Sequence, residues 1–153
     1  MIALTRLAAG SILSLAALAT PATAQDTTFA RGELSSARNH SGDIWLNELS
    51  AGDSVIDAAV AVATYAPGAV LDWHAHPGGQ VLVITEGEGF YQERGKPGRI
   101  VHKGDVIRSM PGVEHWHGAT PTSPFAYFAV TPTQKGKTIW LKPVTKAEYA
   151  AVR

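Results

Sequence analysis

His74-Ala75-His76-Pro77-Gly78-Gly79-Gln80 is the stretch from which the rest of this chain is read. Two imidazoles alternate on what reads as a strand, and side chains two apart on a strand face the same way. His74 and His76 therefore project together, as two ligands of one metal ion must. The turn Pro77-Gly78-Gly79 lets the chain fold back and brings the Gln80 amide alongside. A second pair, His115-Trp116-His117, lies behind the turn Met110-Pro111-Gly112, and the two pairs hold four of the six histidines. By the same alternation His115 and His117 share one face and Trp116 takes the other.

Outward from this stretch the chain reads as short strands with Gly/Pro punctuation, the pattern of an all-β sandwich or barrel. Ile44 to Leu49 alternates weakly and reads as a first strand, and Ala51-Gly52-Asp53 after it is turn chemistry. Val55 to Ala66 sets Val60, Val62 and Thr64 against Ala59, Ala61, Ala63 and Tyr65; Pro67-Gly68 beyond it favours a strand over a helix. In Gln80 to Thr85 the positions Gln80, Leu82 and Ile84 oppose Val81 and Val83, and two apolar faces imply that both are covered. Gly87 and Gly89 read as a tight connection to a strand over Phe90 to Arg94. Strands follow over Arg99 to His102, Val113 to Gly118, Phe125 to Thr131 and Thr138 to Leu141. Thr145-Lys146-Ala147-Glu148 is a capping-box pattern and predicts a short C-terminal helix.

The N-terminus reads as a signal peptide over residues 1–24. Arg6 precedes an apolar run from Leu7 to Ala19, and Ala22-Thr23-Ala24 is a small-x-small cleavage site. The run is shorter than the roughly 20 residues of a membrane span, so the expectation is an exported protein, periplasmic or extracellular, with no membrane attachment after cleavage. Residues 25–42 read as an arm or linker and 43–153 as one domain. The 153 residues carry 13 basic and 13 acidic side chains, which offers no cationic face for nucleic acid. No cysteine is present, which removes disulfides, thiolate ligands and a Cys nucleophile. Apolar outward positions and four tryptophans predict a homodimer or higher homo-oligomer.

The two histidine motifs resemble those of the cupins. Gly68, His74, His76, Gln80 and Gly87 fall at the places of the first cupin motif, with Gln where that motif has Glu. Gly104, Pro111, Gly112 and His115 match the second, with one residue extra before the proline, one fewer after it, and no final Asn. His-x-His-x-x-x-Gln together with His-Trp-His-Gly-Ala is similar to the small bacterial cupins of the mandelonitrile-lyase group. The resemblance spans roughly Val55 to Pro132. It implies a double-stranded β-helix, the jelly-roll barrel, and a divalent metal held by His74, His76, Gln80 and His115.

Nitrogen and oxygen donors without thiolate suit Mn(II), which the resemblance favours, as well as Fe(II), Co(II), Ni(II) or Zn(II). A neutral His3Gln set leaves the full +2 charge on the ion, whereas His3Glu would leave +1, so the site should draw an anion. His117, two residues past His115, is expected beside the metal as a neutral imidazole and candidate base, with a fifth metal ligand as the other reading. Tyr127, where the related lyases carry His, is expected to face the barrel interior and to exchange a proton with substrate. Asp72 reads in two ways, as a carboxylate that orients an imidazole or as a solvent-exposed residue at the edge of the barrel. Val60, Val62, Leu82, Ile84 and Phe128 are candidate pocket walls, and His40 and His102 read as structural or surface residues. The function expected is a metal-dependent lyase of hydroxynitrile-lyase type acting on small aromatic cyanohydrins. The alternatives are a metal-dependent cupin dioxygenase and a non-catalytic metal- or ligand-binding cupin.

Overall fold

A computed structural model describes residues 29–152, so the signal-peptide expectation for residues 1–24 lies outside the described residues. Among the described residues, twelve antiparallel strands curl into a half-barrel, and one short helix follows. In chain order the strands are β1 (Glu33–Leu34), β2 (His40–Ser41), β3 (Ile44–Ser50), β4 (Ala59–Tyr65), β5 (Val70–Leu71) and β6 (His74–Ala75). They continue with β7 (Gln80–Glu93), β8 (Arg99–His102), β9 (Val106–Ser109), β10 (His115–Ala119), β11 (Phe125–Thr131) and β12 (Ile139–Trp140). The helix α1 (Lys146–Ala150) is held by the capping box that the sequence predicts: Glu148 N–H donates to Thr145 Oγ1, and the Glu148 carboxylate accepts from Thr145 N–H.

β7 is the spine of the fold. Its first half pairs with β11 and β9, and its second half pairs with β10 and β8. The sequence reading places a turn at Gly87 and Gly89; the structure instead runs a single 14-residue strand through them. Both glycines serve close approach. Gly87 has φ +66, and a Cβ there would sit 1.8 Å from the Pro124 carbonyl oxygen; at Gly89 it would meet the Phe125 ring at 2.6 Å. Only glycine lets the strand bend here and pass from one sheet to the other without colliding with β11.

Two short pieces of the stretch read as an arm or linker pair with the sheet. β1 pairs with β3, and β2 pairs with β5. Two-residue strands leave too little periodicity to be seen in a polar sequence.

Two buried clusters fill the interior. The larger gathers Ile44, Tyr65, Leu82, Ile84, Ile107 and Phe125 between the sheets. The smaller lies behind β10, where Trp116 packs with Trp73, Phe90 and Val152 and against Tyr149 of α1. The helix is thus a cover for the outer side of β10.

Candidate metal centre and cavity

The histidines meet because of sheet register. β10 runs antiparallel to β6 with His115 directly opposite His74. The rings of these two lie 4.3 Å apart, and the His76 ring is 5.1 Å from His74 and 5.5 Å from His115. Gln80 opens β7 after the tight turn closed by Gly79 N–H donating to the His76 carbonyl at 3.0 Å. All of these side chains are buried.

Each of these imidazoles has one nitrogen tied down. His74 Nδ1 donates to the Asp72 backbone carbonyl at 2.8 Å, and His115 Nδ1 donates to the Val113 carbonyl at 3.0 Å with Ser109 Oγ at 3.1 Å. His76 Nδ1 meets Thr138 Oγ1 at 3.2 Å, and His117 Nδ1 meets the Tyr65 hydroxyl at 3.3 Å. Gln80 donates through Nε2 to Thr131 Oγ1 at 3.1 Å. What remains is Nε2 of His76, His115 and His117 and Oε1 of Gln80, all buried without a hydrogen-bond partner among the described residues. Unpaired buried polar atoms are costly and rare. Several converging, each with its opposite atom anchored, are the pattern of metal ligands oriented by outer hydrogen bonds.

His74, His115 and His117 offer ligand atoms within 4.8 Å of one another and could hold a metal ion. The structure thus groups His117 with His74 and His115, and the predicted ligand His76 is not in that group. Burial, with the neighbouring imidazoles, holds His74 and His117 well below the usual histidine range; His76 is pushed down to about 4 and His115 is also lowered. All four are neutral at neutral pH, the form that binds a metal.

Asp72 acts differently from expectation. Its backbone carbonyl, not its carboxylate, orients His74, and its carboxyl pKa is raised by burial. His40 borders the cavity with both ring nitrogens engaged, by Gly42 O and Ser35 Oγ, and His102 pairs with Glu88 at the surface.

A cavity of about 440 Å³ opens beside the histidines and is lined by His74, His76, Gln80, His117 and Tyr127 among others. Its walls correct the sequence reading. None of Val60, Val62, Leu82, Ile84 and Phe128 borders it; the row Ala59, Ala61, Ala63 and Tyr65 of β4 does, with Ala129 of β11. Alternation separates two faces of β4 but cannot say which is inward when both are apolar. The methyl-sized row is what leaves the space; the bulkier residues fill the solid core or cover the outer face, where Phe128 packs edge-on to Phe29.

Tyr127 faces the cavity as expected, and the structure adds Tyr65, which the sequence reading left among the strand residues. The two phenol oxygens lie 2.6 Å apart, and both hydroxyls are held protonated by burial. Tyr127 pairs in register with Ala63, two residues before Tyr65. That register is the signal that could have found Tyr65, and it is not visible in a linear pattern. Trp140 closes the far side, its ring 4.9 Å from that of His74.

Comparison with known proteins agrees with this geometry. A cupin-domain family model matches residues 61–131. The chain is 41% identical over 92 residues to (R)-mandelonitrile lyase of Granulicella tundricola, covering 60% of this chain and 70% of that protein. A cupin-like protein from Thermotoga maritima superposes with a TM-score of 0.80 at 41% identity, covering 84% of this chain and 98% of that one. The DMSP lyase of Ruegeria pomeroyi shares the fold at a TM-score of 0.57 and 19% identity, covering 67% of this chain and 54% of the other.

Proposed function

This chain belongs to the cupins, and on that premise we propose that it is a metal-dependent lyase of hydroxynitrile-lyase type, cleaving or forming small aromatic cyanohydrins. The observation that carries the reading is a buried set of unpaired nitrogen and oxygen donors opening onto an apolar, alanine-lined cavity with a neutral imidazole on its wall. The likeness to a protein named (R)-mandelonitrile lyase supports the same substrate class.

In this proposal His74, His76, Gln80 and His115 hold one divalent ion, with Mn(II) favoured. The ion, when bound, supplies uncompensated positive charge that favours a departing anion. The chain's own residues do the rest. The alanine row and Trp140 receive the aromatic ring and exclude water. His117 Nε2 accepts the substrate hydroxyl proton as the carbon–carbon bond breaks; its electron pair leaves with cyanide and the carbonyl forms. The same proton then passes from His117 to cyanide, and hydrogen cyanide and an aldehyde depart. Burial suits His117 to this, because an imidazole held neutral is ready to accept.

The test is cyanide release from mandelonitrile by Mn(II)-loaded protein. His117→Ala with metal retained should lower release at least about 100-fold, the usual scale of a lost general base. Full activity in that variant would remove His117 as the base. No release from the wild-type protein with metal bound would remove the lyase reading, and oxygen uptake in its place would favour dioxygenase chemistry.

The proposal extends to a homo-oligomer. Val83 and Val106 sit side by side in the outer register of β7 and β9, and both are exposed. Sedimentation of the chain as a monomer would contradict that part.

A further inference from the structure

The hydrogen bonds around His117 run further than its role as a base requires. Its Nδ1 meets Tyr65 Oη at 3.3 Å, and Tyr65 Oη meets Tyr127 Oη at 2.6 Å. All three side chains are buried, and all three border the cavity. Each phenol has one proton to give, so Tyr65 can donate to His117 or to Tyr127 but not to both.

The neighbouring histidines choose between them. A backbone carbonyl can only accept, so the Asp72 carbonyl fixes the proton of His74 on Nδ1, and the Val113 carbonyl does the same for His115. Both rings therefore carry a lone pair on Nε2. His117 shares their cluster, and its own Nε2 is buried and unpaired. Serving as a ligand or as a base, His117 must likewise present a lone pair on Nε2, which places its proton on Nδ1. That N–H donates to Tyr65. With its oxygen accepting from His117, the Tyr65 hydroxyl has Tyr127 Oη as its one other hydrogen-bond partner among the described residues, and it gives its proton there. The Tyr127 proton is then left for a group in the cavity.

We propose that Tyr65 is a positioning residue that polarises the chain His117 → Tyr65 → Tyr127, so that in the metal-loaded protein Tyr127 presents its O–H as a donor to an oxygen acceptor in the cavity. This rests on the cyanohydrin reading only for the identity of that oxygen, the carbonyl or hydroxyl oxygen of the substrate. The polarity itself rests on His117 serving through Nε2 as a ligand or a base, whatever the substrate. It also gives the phenol a duty: Tyr127 donates a hydrogen bond and keeps its proton, as a hydroxyl strengthened against ionisation by burial should.

The experiment is nitrogen-15 NMR of the histidine rings in protein loaded with diamagnetic Zn(II), with no substrate present. The expected result is a His117 resonance with hydrogen on Nδ1 and a slowly exchanging, hydrogen-bonded N–H. Tyr65→Phe keeps the ring and removes the acceptor, so that signal should exchange at least about tenfold faster while zinc stoichiometry stays unchanged. His117 with its proton on Nε2 in the wild-type protein, or an N–H indifferent to Tyr65→Phe, would overturn the proposal. A second readout is the kinetic split on mandelonitrile: Tyr65→Phe should lower kcat about tenfold with little change in KM, and the double variant with Tyr127→Phe should lose less than the product of the two single losses. Independent, multiplicative losses would also overturn it. If the wild-type protein releases no cyanide, the NMR arm still decides the polarity, so failure of the lyase reading and failure of this one are separable.

Discussion

The two faces of β10 differ in one respect that explains most of this molecule. Trp116 points away from the barrel, into a cluster with Trp73, Phe90 and Tyr149. Its single polar atom is satisfied, Nε1–H donating to Gln92 Oε1 at 2.8 Å. His115 and His117, one residue either side, are equally buried, yet each keeps one nitrogen unpaired. Five consecutive buried residues thus carry two kinds of interior. The outer one leaves unpaired only a lone donor, the Trp73 Nε1–H, which has no lone pair to offer a cation. The inner one gathers several lone pairs that could hold a cation, and that gathering, rather than burial or polarity alone, marks the candidate site.

Changes on the outer face should cost stability and spare the site. Trp116→Ala removes a fully buried indole and should destabilise the fold by about 3–5 kcal/mol, read as a shifted urea midpoint, while the fraction that remains folded still takes up metal at the wild-type ratio. Loss of metal from that folded fraction would show that the two faces are not independent.

Changes on the inner face should do the reverse. Gln80→Glu replaces a neutral donor by an anionic one at a buried position. Metal affinity should rise about tenfold and cyanide release should fall by a similar factor, since the site's net charge drops from +2 to +1. Isothermal titration and the cyanide assay check the two halves. A parallel rise in both would break the argument that residual charge drives the reaction.

Acid supplies the smallest and most graded test. His76 is lowered to about 4, and burial lowers the other cavity histidines as well. An unfolded histidine takes its proton near 6.5, before the folded one does, so the unfolded state binds more protons between those values. The metal-free protein should therefore keep its stability above about pH 6.5 and lose it progressively as pH falls toward 4. Urea midpoints across that window check the sign. Trp116→Ala should shift the whole curve down without changing its slope, because no titrating group is touched.

The sequence made the inner face legible where alternation and turns suffice. The projection of His74 with His76, the opposite side for Trp116, strand β11 from Phe125 to Thr131 and the capped helix all follow from spacing two, Gly/Pro turns and a capping box. The rest depends on register between distant strands. Thr138 and Tyr65 anchor His76 and His117, and Tyr65 is 52 residues from its histidine and Thr138 62 from its own. The inward face of β4 was ambiguous for a related reason: Val and Ala are both acceptable inside, and the cavity lies where the smaller one was placed. Gly87 and Gly89 read as punctuation because a glycine required by a neighbouring strand looks, in one dimension, like a glycine required by a turn.

The most direct test of the account is metal content after loading with Mn(II) and desalting, measured on wild-type, His115→Ala and Trp116→Ala proteins. The account predicts one ion per chain in the wild type and in folded Trp116→Ala, and none retained in His115→Ala. Equal metal in all three, or none in the wild type, would contradict the claim that the unpaired donors on the inner face of β10 belong to a metal site.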